Sequence, residues 1–397
     1  MESFSPNAFF QALLLAGGVL GLFYFLVDCA LLQGLSRLRR HDSRERPFVS
    51  VVVSARNEEG RLEYCLAHLF SQSYPKELYE VLVADDRSVD KTDVILREAA
   101  ERHGDQLRVL RITECPEGIS PKKHALTKLI ELSRGEIVLA TDADCMVPYG
   151  WIDSMVREFS PETVMVAGHS EFSLTTDKGW MMPVQALDFL SHGVISAALI
   201  ALGFPVTCTG NSLGYRRSFF DEVGGFGGDE RILSGDDDLL LQKAFRTHRR
   251  QVRYCIRPES YVVTEPQTSG IGLVNQRSRW ASKTTRYSAP VVAFFCGIFA
   301  WYVWIAGLVC AGAAGCLLGA GWGLPVLLWG AAGFLWKTLW DGMVMTRGAR
   351  LFGREKLLRA FPATALLHIP LIVVPVLFGL SGVFRWKGRS GASALRK

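Results

Sequence analysis

The chain has 397 residues, 49% of them hydrophobic, and a formal net charge of +5. That length holds one domain of about 250 residues plus several membrane helices. The small positive excess sits in short runs beside apolar segments, Arg37-Leu38-Arg39-Arg40 and Arg347 to Arg359. Such runs set membrane topology and point away from nucleic acid as a partner. Nine scattered cysteines with no C-x-x-C pair argue against a disulfide framework or a zinc site and for a reducing compartment.

In chain order, residues 11–32 are mostly apolar, with one acid, Asp28, near the end. This is a membrane-length segment followed by a basic run, which predicts an outside N-terminus and a cytosolic domain. The β-branched run Phe48–Val53 predicts a buried parallel strand, followed by a polar turn and a helix through Leu62, Leu66 and Leu69. Further strands are expected at Tyr79–Ala84, Leu107–Ile112 and Glu136–Ala140, with helices at about Thr92–Glu101 and 122–133. Strands alternating with helices predict a doubly wound α/β sheet, whose ligands bind beyond the carboxyl ends of its strands.

Phe189–Val206 is nearly all apolar, but as a span it would put Asp236 and Asp142 on opposite sides of a membrane. It is therefore expected to be a buried or interface-lying helix. Three apolar segments follow, at about 290–319, 323–345 and 362–384, separated in part by a basic loop at Arg347–Arg359. Pro370 and Pro375 leave the last as either a span or a bent, re-entrant element. The expected division is a membrane helix in 1–34, a cytosolic domain in 35–286 and a membrane region in 287–397.

Four polar clusters carry the chemistry. Asp142-Ala143-Asp144 follows a strand and suits Mg²⁺ or Mn²⁺, which take hard oxygen ligands from one or two carboxylates plus phosphates. Asp85-Asp86, also at a strand end, divides between a base or ribose contact and a local turn. Lys122 and Lys123 are candidate diphosphate contacts, though lysines at a helix start are commonly solvated. In Asp236-Asp237-Asp238, adjacent carboxylates favour a base role for one member, and a charged helix N-terminus accounts for the others. Gln276-x-x-Arg279-Trp280 puts three side chains on one helical face.

Taken together these segments resemble the membrane-bound family 2 glycosyltransferases of GT-A fold, the group with the cellulose, chitin, hyaluronan and poly-N-acetylglucosamine synthases and the ceramide glucosyltransferases. The likeness runs over residues 48–286. It implies a nucleotide loop with Ala55, Arg56 and Glu58, a uracil contact at Asp86, and nucleotide-sugar contacts at Lys122 and Asp142. It implies a metal ligand at Asp144, a catalytic base at Asp236, and acceptor or diphosphate contacts at Gln276, Arg279 and Trp280. Gly235 stands where the family usually has Glu, and no Phe-x-Val-Thr gating loop occurs between Arg347 and Arg359. The implied reaction moves a hexosyl unit, with inversion, from a UDP-sugar to a lipid or growing-glycan acceptor at the cytosolic face of a bacterial inner membrane. A non-catalytic glycan-binding subunit with the same fold is the alternative.

Overall fold

The computed structural model describes residues 6–174, 179–232, 234–248, 251–386 and 389–390. Helix α1 (Pro6–Arg37) leads into strand β1 (Val49–Ala55) and helix α2 (Leu62–Phe70). Then come β2 (Tyr79–Asp86), α3 (Thr92–His103), β3 (Leu107–Ile112), α4 (Pro121–Leu132), β4 (Ile137–Asp142) and α5 (Trp151–Arg157). These four strands pair in parallel, in the order β3-β2-β1-β4, as strands joined by helical crossovers must. The valines of β1 and β2 are fully buried, because helices cover both faces of the sheet.

The sheet then becomes mixed. Short strands β5 (Met165–Ala167), β6 (Ser170–Phe172) and β7 (Leu213–Arg216) follow, with helices α6 (Met181–Ala201) and α7 (Arg217–Glu222). Helix α8 (Asp238–Thr247), β8 (Val252–Tyr254), β9 (Val262–Thr264) and α9 (Gly270–Ala281) complete the polar half. Strand β7 adds antiparallel to β4, and β5 and β8 extend the edge to make seven strands. β6 and β9 form a separate parallel pair.

Three long helices follow, α10 (Ala289–Leu317), α11 (Gly323–Phe352) and α12 (Phe361–Leu380), and then a short antiparallel pair, Arg385–Trp386 with Arg389–Ser390. By length and composition α1, α6, α10 and the segment Glu355–Leu380 are each able to cross a membrane. Their fates differ: α6 has 78% of its apolar window buried inside the protein, against 22–28% for the others. Helix α6 is thus an interior element, as its sequence position between Asp142 and Asp236 required. It touches α1, α11 and α12 on one side and β6 and β8 on the other.

Close approaches depend on missing side chains. A Cβ at Gly34 of α1 would lie 2.2 Å from the carbonyl oxygen of Ala198 in α6. One at Gly379 of α12 would lie 2.4 Å from that of Ser278 in α9. Small residues are what let helix backbones meet in this way.

One expectation changes, and one open alternative is narrowed. The basic stretch at Arg347 is not a loop: α11 runs on to Phe352, because no proline interrupts it there and Gly348 stays helical, until Gly353 ends it in the left-handed region at φ 67°. Only the remainder, 353–360, connects to α12. Pro370 and Pro375 do not break α12, which is one continuous helix of 20 residues packed along α9 and α10. Most of the basic tail, at 387–388 and 391–397, lies outside the described residues.

Asp188 of α6 and Arg277 of α9 form an ion pair whose side chains are 0% and 5% exposed. Breaking such a pair leaves a buried charge uncompensated, at about 3–5 kcal/mol. Arg277→Met is therefore expected to lower the thermal unfolding midpoint in detergent by several degrees. Adding Asp188→Leu should restore much of it, since the orphan charge is gone.

Candidate active site

The sequence clusters converge on one cavity of about 840 Å³. Its floor is the carboxyl edge of the parallel strands, where the chain turns out of β1, β2 and β4. The first two turns are stitched together. Val89 N–H donates to Asn57 Oδ1 (2.9 Å), Asn57 N–H to Ser88 Oγ (3.0 Å) and Glu58 N–H to Thr92 Oγ1 (2.9 Å). Asn57 and Arg87 take φ of 54° and 56°, the tight left-handed geometry that lets both loops fold back over the sheet edge.

The two acids after β2 divide their work. Asp85 Oδ1 accepts from Ser88 N–H (3.1 Å) and holds the turn. Asp86 lines the cavity, with Arg87 at 2.8 Å and Arg56 at 3.7 Å from its carboxylate. Arg56 and Glu58 line the same wall. Ala55 does not: it is the fully buried last residue of β1, with its methyl group in the core.

Lys122 is not a solvated lysine. Its Nζ bridges Asp142 (2.7 Å) and Asp236 (2.8 Å), joining carboxylates that are far apart in the chain. Burial opposes its charge, but the two carboxylates outweigh that and hold its pKa well above the usual lysine value. Lys123 is also engaged, donating to the carbonyl of Asp229 at 2.7 Å. Burial pulls its pKa down to about 8.

The three consecutive acids at the start of α8 separate into distinct environments. Asp238 is buried, and it accepts from Thr207, the Cys208 N–H and Tyr287 while facing Lys283 at 2.6 Å. Asp237 caps the helix through the Asp238 N–H (2.7 Å) and also meets Lys283 (3.0 Å). Burial opposes the Lys283 charge, but Asp237 and Asp238 together raise its pKa. Asp236 and Asp237 both line the cavity, their side chains 13% and 17% exposed, but Asp237 is held by Lys283, whereas Asp236 is touched by Lys122. Gly235, at φ 86°, makes the bend that turns it there. Lys283 was not singled out in the sequence. Its signal was position alone, one helical turn after Arg279.

Helix α9 forms the opposite wall. Gln276, Arg279 and Trp280 all line the cavity. Arg279 donates to Ser234 Oγ (3.2 Å), and burial lowers its pKa against the pull of Asp237 and Asp236. Gln276 Oε1 is buried and accepts no hydrogen bond. Trp280 stacks beside Phe189 at 6.2 Å and His192 at 5.6 Å, so it faces inward from α9 rather than acting as an outward anchor.

The residues fit a divalent cation. Ligand atoms of Asp142, Asp144 and Cys145 all lie within 4.8 Å of one another. The Cys145 sulfur is soft, buried and receives the Asn211 amide (3.4 Å), whereas the two carboxylates are partly exposed to the cavity. A hard cation such as Mg²⁺ or Mn²⁺ matches the carboxylates and not the thiol. Asp144 is met loosely, by Arg61 at 3.6 Å and by the Cys145 thiol, which donates to Oδ1 at 3.6 Å.

A mixed sheet with strand-end carboxylates around a cleft, backed by apolar helices, defines a glycosyltransferase of GT-A type. The family model "Glycosyltransferase like family 2" matches residues 46–283, more than half of the chain, and the chain belongs to that family. Among its relatives is the beta-monoglucosyldiacylglycerol synthase of Nostoc sp., 32% identical over 59% of this chain and 48% of that protein. The synthase of the same name from Trichormus variabilis is 32% identical over 61% of this chain and 51% of its own length. The chain thus spans about half the length of these curated relatives. A solved structure, "Mannosyltransferase PcManGT from Pyrobaculum calidifontis in complex with GDP-Man and Mn2+", shares the fold. It has a TM-score of 0.57 and 21% identity, covering 90% of this chain and 99% of that one.

Asp144→Ala should abolish Mn²⁺ binding, read by paramagnetic resonance of titrated metal, while the far-ultraviolet dichroism stays native. Undiminished Mn²⁺ affinity in that variant would remove Asp144 from the metal site.

Proposed function

We propose that the chain transfers a hexosyl unit from a UDP-sugar to a lipid acceptor at the cytosolic face of a bacterial inner membrane, with inversion. The observation that carries this reading is the continuity of the cavity. Its polar end holds Asp86, Asp142, Asp144 and Asp236, and its other end is walled by Phe294, Phe295, Ile298, Met345 and Leu371 of the long apolar helices. A soluble acceptor has no use for that apolar wall, whereas a lipid gains from burying its chains there. The names of the curated relatives, monoglucosyldiacylglycerol synthases, favour the same acceptor class over a growing glycan.

In this reading the turn around Asp86 and Arg56 holds the nucleoside, and Asp142 and Lys122 flank the diphosphate. A cation held by Asp144 would supply charge neutralisation for the departing diphosphate. Lys122 and Arg279 stand where negative charge develops on that leaving group. Asp236 takes the proton from the acceptor hydroxyl, which then attacks the anomeric carbon from the opposite face. Lys122 meets the Asp236 carboxylate at 2.8 Å and holds it beside Asp142. Trp280 and Gln276 lie on the acceptor side.

Asp236→Asn is expected to keep nucleotide-sugar binding while cutting transfer by at least ~100-fold, the scale for losing a general base. An active Asp236→Asn beside an inactive Asp237→Asn would assign the wrong carboxylate.

Trp280→Ala should impair acceptor-dependent transfer more than background release of UDP, both measured on one purified sample. Equal loss of the two activities would make the indole a structural group only.

A further inference from the structure

The membrane end of the cavity contains a polar cluster that the transfer chemistry does not use. Asp28 of α1 lies nine residues before the end of that helix at Arg37. That is about 13 Å inside by the helical rise. The side chain is 3% exposed and lines the cavity. Around it stand Tyr24, Tyr302, Lys337, Asp341 and His368, from α1, α10, α11 and α12.

Most of this cluster satisfies itself. Tyr24 donates to one oxygen of Asp341, Lys337 donates to the other, and the hydroxyls of Tyr24 and Tyr302 are 3.1 Å apart. Asp28 stands outside the network. Its Oδ2 is buried and accepts no hydrogen bond, and among the described residues no basic group pairs with it. A carboxyl group left without a partner in an apolar bundle is costly, and intramembrane acids persist where they meet a ligand or a pathway.

We propose that Asp28 forms a second acceptor subsite, which binds an uncharged hydrogen-bond donor of the lipid, a second hydroxyl or an amide N–H, distinct from the hydroxyl that is glycosylated. The inference rests on the lipid-acceptor reading above and narrows its substrate class. Asp236 and Asp28 both line this cavity, so an amphiphile lying along it passes both carboxyl groups. Its apolar body lies against Phe295, Ile298 and Leu371. The Lys337 ammonium in the same cluster disfavours a cationic ligand. A hydroxyl suits the carboxyl in either protonation state, because it both donates and accepts. A lipid with a single hydroxyl, such as a diacylglycerol, engages Asp236 and leaves the buried Oδ2 of Asp28 without a donor.

The test is equilibrium binding of two lipids with matched chains to the purified full chain in nanodiscs. One is a ceramide, with a second hydroxyl and an amide N–H; the other is a diacylglycerol. Wild type should bind the ceramide at least about 10-fold more tightly, a difference of about 1.4 kcal/mol. Asp28→Leu should bring the ratio near one, and Asp28→Asn, whose amide oxygen still accepts, should keep part of it. Equal affinities in wild type, or a ratio preserved in Asp28→Leu, would overturn the subsite and leave water as the partner of Asp28. Where Asp28→Leu fails to fold, the wild-type ratio and its change in Asp28→Asn decide. Sugar transfer is followed in parallel. A binding preference with no transfer to either lipid supports the subsite and counts against the transferase reading. Transfer without any preference counts against the subsite alone.

Discussion

Asp188 and Arg277 form a buried ion pair whose members come from different layers of the molecule. Asp188 lies on α6, which is wedged between the sheet domain and the long apolar helices. Arg277 lies on α9, whose neighbouring residues Gln276, Arg279 and Trp280 wall the cavity. Burial of two charges is tolerated only when each has its counterion in place. The pair therefore fixes the angle of α9 against α6, and with it the distance between the cavity's wall and its strand-end floor. Trp280 stacks on Phe189 of the same α6, one residue beyond Asp188, and reinforces that register. On its far side α9 meets α12 through Gly379, so the polar and apolar halves share one joint.

Within the cavity, two lysines organise the acids. Lys122 spans Asp142 and Asp236, and Lys283 holds Asp237 and Asp238. Without these cations four carboxylates would crowd one cleft and repel one another. With them, Asp237 becomes a helix cap, Asp238 becomes a buried brace, and Asp236 is held beside Asp142 by Lys122. The cleft retains enough open carboxylate at Asp144 to suit a hard cation. The apolar wall beside it belongs to α10, α11 and α12, so the polar cleft opens directly onto the long apolar helices.

Much of the sheet was legible in the chain. The β-branched runs at Val49–Val53 and Tyr79–Ala84 have nowhere to go but a covered sheet, and the acids that follow them mark the strand ends. The Thr92–His103 helix and the Leu107–Ile112 strand match their sequence patterns closely. Less legible were the boundaries of the apolar segments. Hydropathy saw Arg347 as a loop residue, yet backbone hydrogen bonding carries α11 through it until Gly353 stops the helix. Hydropathy also gave α6 and α10 similar standing, although protein covers one and not the other.

The sequence by itself determined the family, the order of the strands that carry acids, and the residue types of the site. Those depend on local pattern, on side-chain chemistry and on spacing along the chain. Only the tertiary structure decided which partner each acid of a cluster meets. Three adjacent aspartates are equivalent in sequence, and they diverge because Lys283, Tyr287 and the Cys208 amide, all distant in the chain, claim Asp238 while Lys122 claims Asp236. Lys122 itself reads as an ordinary helix-start lysine until two remote carboxylates close on it. Asp28 stood out in the sequence as a lone acid in an apolar segment. That it opens into the same cavity as Asp236 follows from the packing of α1 against α6, α10 and α11, a relation that no local pattern encodes.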